Sequence, residues 1–224
     1  MCENMLKTTE LYDLRHSAAG EYLTQFEYPW QALKGIKDMI LELGSQLGEE
    51  YTEVSPSVWV HKTAAVAPTA YLGAPCIIGA GTEVRHCAFV RGSALVGENC
   101  VVGNSVELKN VILFDNVQVP HYNYVGDSIL GYKAHMGAGS VTSNVKSDKT
   151  LVVVKNGEEK METGLKKFGA MLGDCVEVGC NSVLNPGTVI GRNSNVYPTS
   201  CVRGVVGENS IWKNTGIVVK KENR

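Results

Sequence analysis

Residues 96–108 read VGENCVVGNSVEL and carry an aliphatic side chain at every sixth position, namely Val96, Val102 and Leu108. The same spacing extends over Val60–Leu108 and returns over Leu172–Val202. A period of six matches neither the 3.6-residue repeat of an α-helix nor the two-residue repeat of a β-strand. It is typical of a solenoid in which a short strand and a tight turn occupy six residues, so that three such hexads complete one coil of about 18 residues.

A glycine often follows the repeated aliphatic residue, as in Gly79, Gly97 and Gly103. A residue without Cβ lets the backbone turn sharply or adopt a positive φ. Each buried aliphatic side chain contributes roughly 1.5–3 kcal/mol, so the repeated row is the main source of stability. The pattern therefore predicts an all-β fold, a parallel β-helix built of hexapeptide repeats.

The chain divides into three segments. Residues 1–55 lack the hexad and are predicted to form a helical cap over the open end of the solenoid. A helix is expected over Trp30–Leu47, after Pro29, with a shorter one over Thr9–Leu23. Residues 56–204 carry the coils, and residues 205–224 are predicted to be a tail.

The hexad fails between about residues 146 and 170. That stretch contains an apolar run, Leu151–Val154, followed by Asn156-Gly157, which is a strong hairpin-turn signal. We therefore expect an excursion from the coil. Long loops on regular scaffolds tend to carry function.

The bulk composition excludes several classes of protein. The chain has 224 residues, 21 of them basic and 23 acidic, so no overall field points to nucleic acid or a membrane. No apolar run reaches the ~18 residues of a spanning helix, and the first residues lack a secretory signal pattern. The seven scattered cysteines contain no CxxC pair, which favours a reduced, cytoplasmic protein.

Arg91 and Lys109 each follow a repeated aliphatic residue, one predicted coil apart. They should therefore stack on the same edge. Two neighbouring cations repel unless an anion lies beside them, and a phosphate suits a bidentate guanidinium. The alternative is a pair of solvated corner residues, with Glu107 nearby.

His121 follows about one coil after the hexad of Lys109, and we expect it on the same side of the solenoid. A histidine in a polar pocket can act as a general base near neutral pH, although a lone histidine is more often structural or exposed. Tyr124 is either a donor to an anionic group or a packed aromatic. Polar residues continue the cluster at His135, Asn144 and Lys149.

A metal site is the other chemistry that histidines suggest. His61, His86, His121 and His135 contain no close pair, and the spacing of the first two is not a multiple of the coil. They should face different edges, which disfavours a zinc centre.

Three blocks carry a resemblance to a known family: Val102 to Lys109, His121-x-x-Tyr124-x-Gly126-Asp127, and Gly137-Ala138-Gly139 followed by Asn144. They resemble the acetyltransferase half of bifunctional N-acetylglucosamine-1-phosphate uridyltransferase/glucosamine-1-phosphate acetyltransferases. The stretches 27–30 and 162–170 resemble the C-terminal part of archaeal-type sugar-1-phosphate nucleotidyltransferases.

The resemblance implies a left-handed β-helix, a homotrimer with sites between subunits, and acetyl-CoA as co-substrate without a metal. It implies that His121 is the base and that Asn144 binds the sugar and orients the amine. It also implies two sets of binding residues. The sugar phosphate would contact Arg91, Lys109, Tyr124, His135, Asn144 and Lys149, and the cofactor would contact Ala138, Cys180 and Pro198.

Three departures from the family pattern qualify this expectation. His135 stands where asparagine is usual, and Cys180 and Pro198 replace smaller residues on the cofactor path. Residues 1–55 hold no glycine-rich nucleotide-binding loop, so nucleotidyl transfer by this chain is not expected.

The sequence therefore predicts an acetyl-CoA-dependent N-acetyltransferase acting on an amino-sugar phosphate, most plausibly glucosamine 1-phosphate. The alternative is a non-catalytic scaffold that binds a sugar phosphate and partners a separate nucleotidyltransferase. A carbonic-anhydrase-like metalloenzyme is a third class.

Overall fold

The computed structural model describes residues 4–222, and its hexad segment is a parallel β-solenoid with three faces. Strands of successive coils pair in parallel and in the register that the hexads predict, as in Val90 with Leu108 and Ile78 with Val96. The predicted fold class, a parallel β-helix of hexapeptide repeats, is confirmed by this pairing.

We name the faces A, B and C in the order in which the chain meets them. Face A contains Val58–His61, Cys76–Ile78, Ala94–Val96, the second halves of Glu107–Leu113 and Tyr124–Leu130, Ala170–Leu172, Thr188–Ile190 and Val205–Val206. Face B contains Ala65–Val66, Glu83–Val84, Val101–Asn104, Gln118–His121, His135–Met136, Glu177–Val178, Asn195–Val196 and Ser210–Trp212. Face C contains Tyr71–Leu72, Phe89–Val90, the first halves of Glu107–Leu113 and Tyr124–Leu130, Val141–Thr142, Val183–Leu184 and Cys201–Val202.

The coil length changes in the middle of the solenoid. Leu108 pairs with Val125, and Tyr124 pairs with Val141, so two successive coils are each one residue short of 18. The aliphatic side chains of these coils still fill the axis, and Leu108 and Val125 are fully buried. Each shortened coil shifts the later residues by one place relative to a strict 18-residue count, so the two together shift them by two places.

The hexad glycines serve close approach between coils rather than a left-handed turn. A Cβ on Gly103 would lie 1.6 Å from the carbonyl oxygen of Pro120 on the next coil, and one on Gly79 would meet the backbone of Gly97 at 2.5 Å. Positive φ angles occur two residues later, at residues such as Asn99 and Ser105. Of the two roles expected for a residue without Cβ, a sharp turn or a positive φ, Gly79 and Gly103 do not have the second.

The N-terminal segment packs along the solenoid. It contains 3-10 turns and short α-helices at Asn4–Leu6, Thr8–Leu11, Leu14–His16, Gly20–Leu23 and Pro29–Gly35, followed by a longer helix, Ile36–Gln46. The long helix contacts face A strands, and the backbone N–H of Asp174 donates to the carbonyl of Leu11. The Tyr12 ring packs at a tilt against Phe114, and the Trp30 ring stacks on Phe168. The segment thus covers one side of the solenoid rather than its open end, as its apolar stripe has a whole face of coils to pack against.

The predicted excursion is an antiparallel hairpin formed by Val152–Asn156 and Glu159–Leu165. Its turn contains Gly157, whose φ of 61° is the left-handed conformation that the Asn-Gly signal predicts. Val152 and Val154 are fully buried. The hairpin is therefore packed onto the solenoid.

Each end of the solenoid carries one antiparallel strand. Tyr51–Ser55 pairs antiparallel with Val58–His61, and Val218–Lys220 pairs antiparallel with Ser210–Trp212. The strands Val205–Val206 and Ser210–Trp212 continue the parallel stack. The predicted boundary at residue 204, with a tail beyond it, is therefore wrong. Its cause is that the spacing of six ends at Val202, since the next buried aliphatic residue, Val206, follows only four residues later.

Two features bear on the expected class of protein. None of the helices between residues 4 and 222 is long and apolar enough to cross a bilayer. Six cysteines lie in this range and are free, whereas Cys2 lies outside the described residues. Burial raises the pKa of Cys76 and Cys100 to about 12, so these two thiols stay protonated at neutral pH.

Candidate functional site

Arg91 and Lys109 lie on the edge where face C turns into face A, which we call edge CA. The backbone N–H of Arg91 donates to Leu108, so the two cations stack one coil apart as predicted. Each has a carboxylate partner. Arg91 lies 2.8 Å from Glu107, and Lys109 lies 3.0 Å from Asp127. Protein carboxylates therefore already compensate the repulsion that motivated the phosphate prediction.

Asp127 is the centre of this cluster. Its carboxylate is 5 % exposed and accepts hydrogen bonds from Lys109 Nζ at 3.0 and 3.1 Å and from Asn110 Nδ2 at 3.0 Å. The side-chain amide of Asn144 donates to the same carboxylate. All three neighbours are donors, so the ionised carboxylate fixes a lysine and two amides in one arrangement.

Tyr124 joins this cluster from the outer surface of face C. Its hydroxyl accepts a hydrogen bond from Asn144 Nδ2 at 3.1 Å. Burial raises the pKa of the Tyr124 phenol, the charges of Asp127 and Glu107 raise it further, and the Asn144 hydrogen bond opposes the rise. The phenol is therefore protonated at neutral pH and retains a proton to donate to an anionic group.

His121 lies on a different edge, where face B turns into face C, which we call edge BC. It ends the strand Gln118–His121 and pairs with Asn104, not with Lys109. The prediction that Arg91, Lys109 and His121 share one side is wrong. The physical reason is that His121 follows Lys109 by two hexads, which carry the chain past two corners of the prism.

The structure instead brings His121 into line with the predicted cofactor residues. The backbone carbonyl of His121 accepts from Gly139, that of Ala138 from Asn181, and that of Cys180 from Thr199. His121, Ala138, Cys180 and Pro198 therefore occupy successive coils of edge BC. The imidazole of His121 is exposed and reachable by a ligand.

A groove of about 350 Å³ runs beside the lower part of edge BC. Its lining is mainly apolar side chains and glycine backbone, including Cys180, Pro198 and Val178, with His135 and Glu177 also among the lining residues. Its size lies in the range of small-molecule sites. The exposed thiol of Cys180 and the ring of Pro198 thus form part of an apolar channel.

Two further predicted residues lie apart from the cluster on edge CA. His135 is on face B, where its Nδ1 lies 2.8 Å from Glu177 Oε2. Lys149 lies on the exposed loop that leads into the hairpin, with a φ of 57°. Within one chain, edge CA therefore brings together Arg91, Lys109, Tyr124 and Asn144, whereas His135 and Lys149 lie elsewhere.

The sequence analysis assigned no role to two buried polar residues of this region. Asp127 belongs to the block His121-x-x-Tyr124-x-Gly126-Asp127, but the hydrophobic pattern did not predict that it is buried. Asn123 is also buried; it donates to the carbonyls of Gly137 and Ser140 and accepts from the backbone N–H of His121 at 3.2 Å. The signal that could have found both is a polar residue flanking the repeated aliphatic Val125.

The two edges differ in the chemistry they offer. Edge CA presents cations, a phenol and an amide, which suit an oxyanion with hydroxyl groups. Edge BC presents an imidazole above an apolar groove. His121 and Tyr124 are three residues apart, so at most about 10 Å of backbone separates the two groups. Within residues 4–222, no three His, Cys, Asp or Glu side chains form a group that could hold a metal ion.

Comparison with known proteins gives relatives along most of the chain. It is 31% identical over 205 residues to a bifunctional protein GlmU of Methanococcus maripaludis strain S2, covering 90% of this chain and 50% of the relative. It is 32% identical over 108 residues to a bifunctional sugar-1-phosphate nucleotidylyltransferase/acetyltransferase of Sulfurisphaera tokodaii, covering 48% and 27% of the two chains. No family model matches the sequence.

Solved structures give more distant similarities. A hexapeptide transferase family protein from Anaplasma phagocytophilum aligns at a TM-score of 0.41 and 14% identity, over 74% of this chain and 79% of the other.

The chain spans about half the length of the first curated relative. The resemblance predicted from the sequence motifs is thereby confirmed: this chain is a homologue of the bifunctional GlmU and sugar-1-phosphate nucleotidylyltransferase/acetyltransferase proteins.

Proposed function

We propose that the protein is an acetyl-CoA-dependent N-acetyltransferase that acts on an amino-sugar phosphate, with glucosamine 1-phosphate as the leading candidate. One observation carries the proposal. The exposed imidazole of His121 lies on the same edge as Ala138, Cys180 and Pro198, beside an apolar groove of about 350 Å³. The relative from Sulfurisphaera tokodaii is named as both a sugar-1-phosphate nucleotidylyltransferase and an acetyltransferase, which supports the same class of reaction.

In the proposed reaction, the amine nitrogen of the sugar attacks the carbonyl carbon of the thioester. A C–N bond forms, the C–S bond breaks, and coenzyme A leaves as the thiol after taking up a proton. His121 accepts the proton that the amine loses. The pantetheine arm would lie in the groove beside Cys180 and Pro198, and Asn144 would orient the amine. No covalent enzyme intermediate is needed.

The phosphate of the sugar would bind at edge CA. Arg91 and Lys109 would each donate hydrogen bonds to the phosphate while keeping part of their contact with Glu107 and Asp127. The Tyr124 hydroxyl would donate a further hydrogen bond to the phosphate. Lys149 would approach the phosphate from its exposed loop, and His135, which lies on face B, would contact it only from a second subunit. Edge BC and edge CA are the two opposite borders of face C. A homotrimer in which edge CA of one copy meets edge BC of the next would bring the phosphate-binding cluster and His121 into one site.

Thiol release from acetyl-CoA in the presence of glucosamine 1-phosphate tests the reaction directly. His121→Ala should lower kcat by about 10²–10⁴-fold, the range expected for loss of a general base. His86→Ala is the matched control, because His86 is another exposed histidine on edge BC, two coils away. Full activity of His121→Ala would remove the proposed base, and no thiol release from any amino-sugar phosphate would remove the reaction.

Mixing of inactive subunits tests the shared site. If the site lies between copies, co-assembly of His121→Ala chains with Lys109→Ala chains restores about a quarter of wild-type activity, because a random mixture leaves that fraction of sites with both residues intact. If both residues of one site come from the same chain, the mixture stays inactive.

A second candidate is a non-catalytic scaffold that binds a sugar phosphate and partners a separate nucleotidyltransferase. The observation that favours it is that Arg91 and Lys109 are already paired with Glu107 and Asp127, so the cluster is stable without a role in catalysis. Equilibrium binding separates the two candidates. A scaffold would bind the sugar phosphate without measurable affinity for acetyl-CoA, whereas the enzyme binds both.

A further inference from the structure

A second cavity lies between the hairpin and edge CA, and its volume is about 520 Å³. Four cationic side chains contribute to its lining, and no carboxylate does among the described residues that surround it. The cations are Lys146, Lys155, Lys160 and Arg203. They come from three separate parts of the chain: the loop before the hairpin, the two hairpin strands and a coil of face C.

The pairing of Lys155 with Lys160 is the most informative feature of this cavity. The two lysines are directly opposite each other in the hairpin register. Like charges in that position destabilise a strand pair. Between residues 4 and 222, no carboxylate lies within 4.0 Å of Lys155, Lys160 or Arg203, although Lys146 lies 3.4 Å from Asp148. An anion in the cavity would offset this repulsion.

Close contacts with the solenoid fix the hairpin side of the cavity. Gly204 has a φ of 74°, and a Cβ there would lie 2.6 Å from the carbonyl oxygen of Lys155. Gly187 has a φ of 81°, and a Cβ there would lie 2.8 Å from Val152. The two glycines let the hairpin approach the coils, so the cavity is already formed in the absence of a ligand.

The cavity is separate from the cluster around Arg91 and Lys109. Along edge CA, the strand register places Gly126, Ser143 and Asn185 between Lys109 and Arg203. Four strand spacings of about 4.8 Å put the backbones of Lys109 and Arg203 about 19 Å apart. A sugar phosphate held by Lys109 does not reach Arg203.

We infer that this cavity binds a small organic diphosphate, such as a nucleoside diphosphate or a diphosphate ester of similar size. Lys155, Lys160 and Arg203, which have no carboxylate within 4.0 Å among the described residues, suit the charge of a diphosphate, and arginine and lysine are its usual partners. A cavity of about 520 Å³ exceeds the needs of a single phosphate and falls within the range of small-molecule sites. Val145, Val153 and Pro186 supply apolar surface for the organic part. The inference does not depend on acetyl transfer.

Calorimetric titration of the full chain with uridine 5′-diphosphate, in the absence of acetyl-CoA, tests this inference. A pyrimidine nucleotide is chosen because coenzyme A itself carries an adenine nucleotide. The double variant Lys160→Gln/Arg203→Gln should weaken binding at least about tenfold, since each lost contact is a charge-assisted hydrogen bond. The matched control is Lys62→Gln/Arg85→Gln, which removes the same charge from residues outside the cavity, where Lys62 is exposed and Arg85 is partly exposed.

The comparison ligands decide between sources of affinity. Inorganic pyrophosphate should bind more tightly than inorganic phosphate, and both should lose affinity in the double variant but not in the control. No binding, equal affinity for inorganic phosphate, or an equal loss in both double variants would overturn the inference. The inference would also be overturned if only Arg91→Gln lowered the affinity for uridine 5′-diphosphate, because the ligand would then occupy the cluster of Arg91 and Lys109. None of these results bears on thiol release from acetyl-CoA, so the two proposals fail independently.

Discussion

Replacement of Asp127 by asparagine is the sharpest test of how the cluster on edge CA is held together. The substitution keeps the size of the side chain and removes its charge. Asp127 is 5 % exposed and accepts hydrogen bonds from Lys109, Asn110 and Asn144. The new amide would point one NH₂ group at a neighbour that is also a donor, and it would leave Lys109 without a counter-ion.

The expected loss of stability follows from these contacts. Removing one partner of a buried ion pair costs about 3–5 kcal/mol, and a hydrogen bond to a charged group is worth about 1.5–3 kcal/mol. Lys109 is 26 % exposed and water replaces part of its interaction, so we expect about 2–3 kcal/mol in all. With a urea dependence of about 2–3 kcal/mol per M, the midpoint of unfolding falls by about 1 M.

Urea unfolding followed by circular dichroism measures this loss. Glu83→Gln is the matched control, because it removes a carboxylate whose partner, Arg85, lies 2.9 Å away on the exposed surface. That pair contributes at most about 1 kcal/mol. If Asp127→Asn unfolds within about 0.5 kcal/mol of the wild type, or no further from it than the control, the view of Asp127 as the anchor of the cluster is refuted.

Three further predictions concern the coils, the groove and the N-terminal segment. Gly103→Ala should lower the free energy of unfolding by about 3 kcal/mol, because its Cβ would overlap the next coil, whereas Gly48→Ala has open space and should stay within about 0.5 kcal/mol in the same urea titration. Acetyl-CoA should slow alkylation of the exposed Cys180 thiol, measured by peptide mass spectrometry, and leave the exposed Cys87 unchanged; equal protection would contradict the proposed cofactor path. Burial raises the pKa of Tyr12 in the folded chain, so the folded state holds its proton more tightly, and stability should fall as the pH rises above about 10; Tyr12→Phe should show a smaller fall in pH-dependent melting.

The solenoid was predictable because its signal is local and repeated. Every coil places an aliphatic residue on the axis, and even the Asn156-Gly157 hairpin has its own turn chemistry. The direction in which the N-terminal segment packs was not predictable in this way. An apolar stripe such as that of Ile36 and Ile40 shows that a helix is buried but not against which surface.

The candidate site was predictable only in part. The stacking of Arg91 on Lys109 followed directly from one coil of spacing. The location of His121 required counting corners as well as coils, and two hexads beyond Lys109 is two corners away. Asp127 follows Lys109 by 18 residues, so a strict coil count already places the two side chains together, although the shortened coil puts Gly126 opposite Lys109 in the strand register. What the count could not show is that the carboxylate is buried and binds Lys109, Asn110 and Asn144 at once.

The reversed strands at the two extremities limit growth of the fold. A stack of parallel coils has no intrinsic stop, because its terminal strands offer free amide and carbonyl groups to any similar edge. Tyr51–Ser55 occupies those groups on the first strand of face A, and Val218–Lys220 occupies them on the last strand of face B. At each extremity, one of the three sides of the prism thus ends on a strand of opposite polarity, and the parallel pairing of that side stops there. These two strands therefore act against head-to-tail fibre formation, and their deletion would expose the chain to it.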